Sequence, residues 1–313
     1  MIVKKIPTMQ SGYRVTQYQS APGKEVSYEN KNGNDREEDL SLILAELNSL
    51  VGMERIKDLV TEINAYITIQ RERKRNSLAS EPQVLHMIFK GNPGTGKTTV
   101  ARILGRAFSK MGLLSKGHLV EVERADLVGE YIGHTAQKTR DTIKKALGGI
   151  LFIDEAYSLA RGGEKDFGKE AIDTLVKAME DKKDDLILIL AGYKEEMERF
   201  LRSNPGLRSR FPIHLEFPDY KIEELVEIGE TMLEKREYKF TTGAKSKIRE
   251  ILYEQVKQGD LVMGNARFIR NLVEKAIRKQ AVRLAHEKVV TRENLMTIER
   301  QDISLAFEDN GYG

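Results

Sequence analysis

Residues 91–99 read Gly-Asn-Pro-Gly-Thr-Gly-Lys-Thr-Thr, three glycines, a proline and one lysine set between two apolar stretches. No helix or strand interior tolerates that density of glycine and proline, so the chain must turn here. The preceding VLHMIF (84–89) has strand character. In the following TTVARILGRAFSKMGLL, Val100, Ile103, Leu104, Ala107, Phe108 and Met111 mark one helical face. The segment 91–98 also matches G-x-x-x-x-G-K-[ST]. In such a loop Asn92, Pro93, Gly94, Thr95 and Gly96 let backbone amides curl around phosphate oxygens, and the helix opening at Thr98 and Thr99 offers its positive dipole end. Lys97 reaches the β- and γ-phosphates and the Thr98 hydroxyl reaches Mg²⁺. A plain glycine-rich turn explains the glycines but not the Lys97-Thr98 pair.

The apolar runs HLVEVE (118–123), GGILFIDEA (148–156), DLILILAGY (185–193) and HLEFPDY (214–220) read as further strands. Helical patterns lie between them, near 135–147 and 168–181. Strands alternating with helices predict an α/β fold with a parallel sheet covered on both faces, a three-layer domain. Beyond Asp219 the strand signals stop. Residues 221–237, 243–257, 264–286 and 291–300 read as helices, with Thr291 placed to cap the last. The expected organisation is therefore a nucleotide-binding α/β domain over 40–220 and a smaller all-α domain over 221–303. A flexible extension over 1–39, holding Tyr13, Tyr18 and Tyr28, precedes them, and 304–313 reads as a frayed tail. Upstream of the first strand, LSLILAELNSLVGMERIKDLVTEINAYITIQRERKR reads as two helices broken near Val51-Gly52.

Asp154 and Glu155 end the apolar strand ILFIDEA, where two adjacent carboxylates are costly unless they have a task. Strand carboxyl ends face the ligand crevice of open α/β sheets. There Asp154 suits Mg²⁺, through water, and Glu155 suits a base for an attacking water. The alternative is an acidic helix N-terminus favoured by the dipole alone. The absence of an Asn-Lys-x-Asp guanine-reading motif favours ATP over GTP.

Composition narrows the partners. The net charge is +3, from 51 basic and 48 acidic residues, so nucleic acid is an unlikely partner overall. The basic RERKR (71–75) reads as a solvated helix end. With no cysteine, disulfides and thiolate metal sites are out. The five histidines show no metal-ligand spacing. No apolar run is long enough for a membrane span and no secretory h-region opens the chain, which places the protein in the cytoplasm.

The segments GNPGTGKTTVAR, DLVGEYIGHTAQKT, ILFIDEAYSL, LILAGYKEEM, NPGLRSRF and FPDY, in this order, resemble the AAA+ ATPases. More narrowly, they resemble the family of the red-type Rubisco activase CbbX and the stage V sporulation protein K, and the sporulation branch most. The resemblance implies a homo-oligomeric ring, usually a hexamer, that hydrolyses ATP with Mg²⁺ and pulls on a protein client. It implies that Val51 and Gly52 pass backbone along the adenine, with a plain interhelical turn as the competing reading. It makes Tyr131, Ile132 and Gly133 a substrate-gripping pore loop. One of Arg208 and Arg210 becomes a finger reaching the neighbouring subunit's nucleotide, with Arg208 preferred. Arg267, in GNAR (264–267), becomes a γ-phosphate sensor on the lid. Tyr193 departs from the Asn or Thr common at the end of the fourth strand. An ATP-regulated scaffold or DNA-associated switch, and a monomeric phosphotransferase, remain as alternative readings.

Overall fold

The computed structural model describes residues 31–80, 83–131, 133–161, 167–258 and 264–304. Tyr13, Tyr18, Tyr28, Ile132 and the tail from 305 lie outside the described residues. The backbone is helical from Lys31 in α1 (Lys31–Asn48), so the end of the expected extension joins this helix. Adding residues to a helix already nucleated costs far less than starting one, which explains the earlier start.

Five parallel strands form one sheet: β1 (Met87–Gly91), β2 (Leu119–Val122), β3 (Ile150–Ile153), β4 (Ile187–Gly192) and β5 (Ile213–Phe217), in the order β2-β3-β4-β1-β5. Period-2 alternation sends each strand's side chains to two faces. Met87, Phe89, Ile150, Phe152, Ile187 and Ile189 join one buried cluster, while Ile88, Leu151, Ile153, Leu188 and Leu190 join another. On the first face pack α1, α2 (Glu54–Arg75) and α3 (Lys97–Lys110), through Leu47, Val60, Ile63, Leu104 and Phe108. On the second pack α4 (Arg124–Leu127), α5 (His134–Ala146), α6 (Gly168–Asp181), α7 (Lys194–Ser203) and the short α8 (Pro205–Arg208). The core is thus three layers. In α7, Met197, Phe200 and Leu201 are buried at helical spacing, a signal the sequence pattern carries but that was not read as a helix.

The lid has its own core, built from α9 (Ile222–Glu234), α10 (Thr242–Gln258) and α11 (Asn265–Ala285) around Leu225, Leu233, Leu252, Ile269 and Val273, while the short α12 (Arg292–Met296) buries no residue. Thr291 caps α12 by accepting from the Asn294 amide. The helix expected over 291–300 stops at Met296, because Thr297 and Ile298 form β7 and pair in parallel with β6 (Lys239–Phe240). Strands therefore do not end entirely at Asp219. Two residues are too few to show alternation in sequence, and β-branched Thr and Ile favour the extended form.

Candidate active site

The carboxyl ends of β3, β4 and β1 are neighbours in the sheet. Turns leaving those ends bring Asp154, Glu155, Tyr193 and the glycine loop to one cleft of about 780 Å³. Val51 and Met53 from the α1–α2 turn and Arg267 from the lid line the same cleft, as do Pro93, Gly94, Gly96, Thr98 and Thr99. The α1–α2 turn is sharp because Gly52 and Met53 both have positive φ, 66° and 63°. Gly52, Asn92 and Thr95 do not line the cleft but shape it. The Thr95 hydroxyl donates to the Asn92 carbonyl at 2.7 Å, tying the loop across its own turn.

Gly94 and Gly96 sit at φ 74° and 93°, where only glycine is at ease. Both are also packed: a Cβ on Gly94 would press into the Gly264 carbonyl oxygen, and one on Gly96 would lie 2.6 Å from the Met53 Cε. Lys97 is buried, and its ammonium donates to the carbonyls of Gly91 and Asn92 at 2.8 Å each. Burial lowers its pKa below that of an exposed lysine. Nearby Asp154 opposes the shift, Arg267 adds to it, and Asp219 opposes it again. The ammonium is therefore anchored at the loop's mouth beside a carboxylate and a guanidinium.

The acid pair is built by a backbone feature. Glu155 adopts a left-handed conformation, φ 45° and ψ 42°, costing about 1–3 kcal/mol. Asp154 holds this turn by accepting the Glu155 amide at Oδ1, 2.9 Å. Its Oδ2 has no protein partner among the described residues. Asp154 is half-buried and Glu155 exposed, so the turn presents the second carboxylate to solvent in the cleft. The Thr98 hydroxyl donates to Glu121 Oε1 at 3.2 Å, which places a third acid beside it. Tyr193 stands at the start of α7, its ring 6.2 Å from that of Tyr157.

Two groups of expected residues are elsewhere. Arg208 and Arg210 lie outside the cleft of their own chain. Arg210 is held in place by Glu180, with Nε to Oε1 at 3.0 Å, and by the Gly206 carbonyl at 2.8 Å. Arg208, exposed at the end of α8, has no hydrogen bond or ion pair among the described residues. Tyr131 is 65% exposed and its ring meets His134 edge-on at 5.4 Å. Gly133, two residues on, has φ 82° and open space where a Cβ would go.

Sequence reasoning missed Glu121, Asp219, Tyr220 and Asn265. Arg270 was missed too, though Arg267 and Arg270 share a helix face by their spacing and both line the cleft. Glu121 also carried a signal, an acid inside an otherwise apolar strand.

A glycine loop running into a helix, an acid pair two strands away at the end of β3 and a helical lid define a nucleotide-hydrolysing protein of the α/β P-loop class. Residues 87–219 match the model of the ATPase family associated with various cellular activities (AAA), and residues 221–311 match the AAA lid domain. Stage V sporulation protein K of Bacillus subtilis is 57% identical over 273 residues, covering 87% of this chain and 85% of that protein. Protein CbbX of Cereibacter sphaeroides is 46% identical over 265 residues, covering 83% and 85%. The chain belongs to the AAA ATPases, in the family of these two proteins, and is an ATP hydrolase. A mutant of RuvB from Thermotoga maritima superposes with a TM-score of 0.50 at 18% identity, over 82% of this chain and 69% of that one, a likeness of fold alone.

Proposed function

We propose that this chain assembles into a homo-oligomeric ring, a hexamer, that hydrolyses ATP between subunits and uses the energy to remodel a protein client drawn through a central channel. The observation that carries the reading is the division of its cations. Lys97 and Arg267 line the cleft, while Arg208 is exposed, unpaired and outside it. Arg270 also lines the cleft, so the reading rests on Arg208 itself: an exposed cation outside its own cleft supports completion of the site by a second copy. This supports Arg208 as the finger, with Arg210 holding α8 against Glu180.

Within one cleft, the amides at the start of α3 and the Lys97 ammonium hold the phosphates. Thr98 and Asp154 suit Mg²⁺, which when bound neutralises charge on the β- and γ-phosphates. The donor set fits that ion: a hydroxyl and a carboxylate oxygen without another protein partner. Glu155 takes the proton from the attacking water. The water oxygen bonds to the terminal phosphorus as the bond to the bridging oxygen breaks, giving ADP and phosphate. Arg208 of a neighbouring copy and Arg267 of the lid meet the charge on the transferring group. Tyr193 contributes a phenol at the fourth strand's end. The apolar Val51, Met53, Ile228 and Met232 of the cleft lining suit the adenine ring.

Tyr131, Ile132 and Gly133 form the client-gripping loop, supported by the exposure of Tyr131 on a glycine-flanked turn. No helix among the described residues is long and apolar enough to cross a membrane, which supports a cytoplasmic machine. The likeness to a sporulation protein supports a role in spore formation. The test is Glu155→Gln. Turnover should fall by about 10²–10⁴ while ATP binding persists, and the trapped rings should retain a client on affinity capture. Unimpaired hydrolysis overturns the assignment of Glu155.

A further inference from the structure

Between the phosphate loop and the lid lies a polar cluster, centred on one buried side chain, that the proposed chemistry does not use. Asn265, the first residue of α11, is 2% exposed and stands at φ 44°. Its amide nitrogen donates to Asp219 Oδ1 at 2.8 Å and to the Pro93 carbonyl at 3.4 Å, and its Oδ1 accepts the Tyr220 amide at 3.0 Å. The same Asp219 carboxylate accepts from the Asn92 side chain, 2.9 Å to each oxygen. The Ala266 amide donates to the Gly94 carbonyl at 3.2 Å, and the Tyr220 hydroxyl to the Thr95 carbonyl at 3.3 Å. Residues 92–95 of the loop, 219–220 of the interdomain connection and 265–266 of the lid thus share one hydrogen-bond network.

Residue type is demanding here. The position needs a donor facing Asp219 and Pro93 and an acceptor facing the Tyr220 amide, which only a carboxamide supplies at that length. It also needs a positive φ, which Asn tolerates better than other side chains. An Asp would set a second carboxylate directly against that of Asp219 and remove the donor to it. Arg267 follows two residues later, so whatever orients Asn265 also orients the backbone that carries this cleft-lining guanidinium.

We propose that Asn265 and Asp219 are a positioning pair that makes the lid's attitude, and with it the place of Arg267, depend on the geometry of the phosphate loop. When nucleotide moves residues 92–95, the network moves the start of α11 with them. Neither residue touches the phosphates; they act through the loop backbone and through Arg267. The inference rests on the nucleotide site proposed above.

Hydrogen exchange of the full chain, with and without ADP or a non-hydrolysable ATP analogue, tests it. In the unaltered protein, nucleotide should slow exchange in both α3 and α11. Asn265→Asp and, separately, the milder Asp219→Asn should keep protection of α3 and lose that of α11. The apparent affinity for nucleotide should fall about tenfold in each, a coupling effect of ordinary size. Combining Asn265→Asp with Asp219→Asn restores a donor facing an acceptor and should recover protection of α11. If Asn265→Asp does not fold, as circular dichroism would show, Asp219→Asn decides the matter. Undiminished protection of α11 in a folded single variant overturns the latch alone. No protection of either helix in the unaltered protein overturns the nucleotide site and the latch together.

Discussion

The chain has two glycine-flanked loops that each run into a helix, and they differ in what the glycines are for. At both N-caps the glycine is left-handed, φ 93° at Gly96 before α3 and φ 82° at Gly133 before α5. Around Gly94 and Gly96 the neighbours are close: lid backbone at one, Met53 at the other. A Cβ added at Gly133 would meet nothing within 4 Å among the described residues. In the first loop glycine permits approach as well as conformation; in the second it permits conformation only. The same contrast separates Arg210, held to Glu180, from Arg208, which is unpaired among the described residues. One set of features is finished inside the chain, and the other faces outward.

The largest expected effect tests the outward set. Arg208→Ala should lower turnover by about 10³ without loss of thermal stability, whereas Arg210→Ala should cost less than about 1 kcal/mol because its ion pair is part-exposed. Steady-state ATPase assays of both variants and of their mixtures with the unaltered chain check this; equal losses in the two would erase the distinction. Next, Gly94→Ala should weaken nucleotide binding by on the order of 10², since the new methyl meets backbone that cannot swing aside. Gly133→Ala should leave binding unchanged and cost about 1 kcal/mol through its positive φ, read as a fall in Tm of a few degrees. Titration with a fluorescent nucleotide separates the two loops.

A third prediction concerns the interior. His86 is 3% exposed and accepts the Leu188 amide at Nδ1, 3.1 Å. Burial lowers its pKa from 6.5 to about 4, opposed by a hydrogen bond to the Met179 backbone. Protonation therefore favours the unfolded chain. The stabilising difference is whole above pH 6.5 and is lost as pH falls toward 4, by about 3 kcal/mol in all. Urea titrations at pH 7 and pH 4.5 should show this loss, and His86→Gln should flatten it. The smallest effect on the chain itself is expected at the exposed loop tip. Tyr131→Ala should leave basal ATPase and stability within error, yet abolish work on a client, because the ring is largely exposed and meets His134 only edge-on. A lowered basal rate would place Tyr131 inside the ATPase machinery instead.

The legible parts of the site were those encoded locally. Gly91 through Thr99 announce a phosphate loop because a dense run of glycines before Lys-Thr has few other uses. Asp154 and Glu155 could be read because they end an apolar strand. The three-layer sheet followed from apolar runs alternating with helical faces. Asp219 and Asn265 could not be read as partners: they are distant in sequence and each resembles an ordinary turn residue. Glu121 looked like one acid in a strand until the sheet order set it beside Thr98. The β6–β7 pair escaped because its strands are two residues long.

By itself, the order of residues determined the phosphate loop, the strand-borne acids, the alternation that builds a covered parallel sheet, and the helical lid that follows. Each of these depends on chemistry within a few consecutive residues, or on a periodicity that burial enforces. Tertiary structure alone decided the strand order that gathers three strand ends at one cleft. It decided which of Arg208 and Arg210 is already paired, and that the lid is tied to the phosphate loop through Asn265. Those outcomes depend on which distant segments share a boundary, and a boundary is set by packing the whole chain at once.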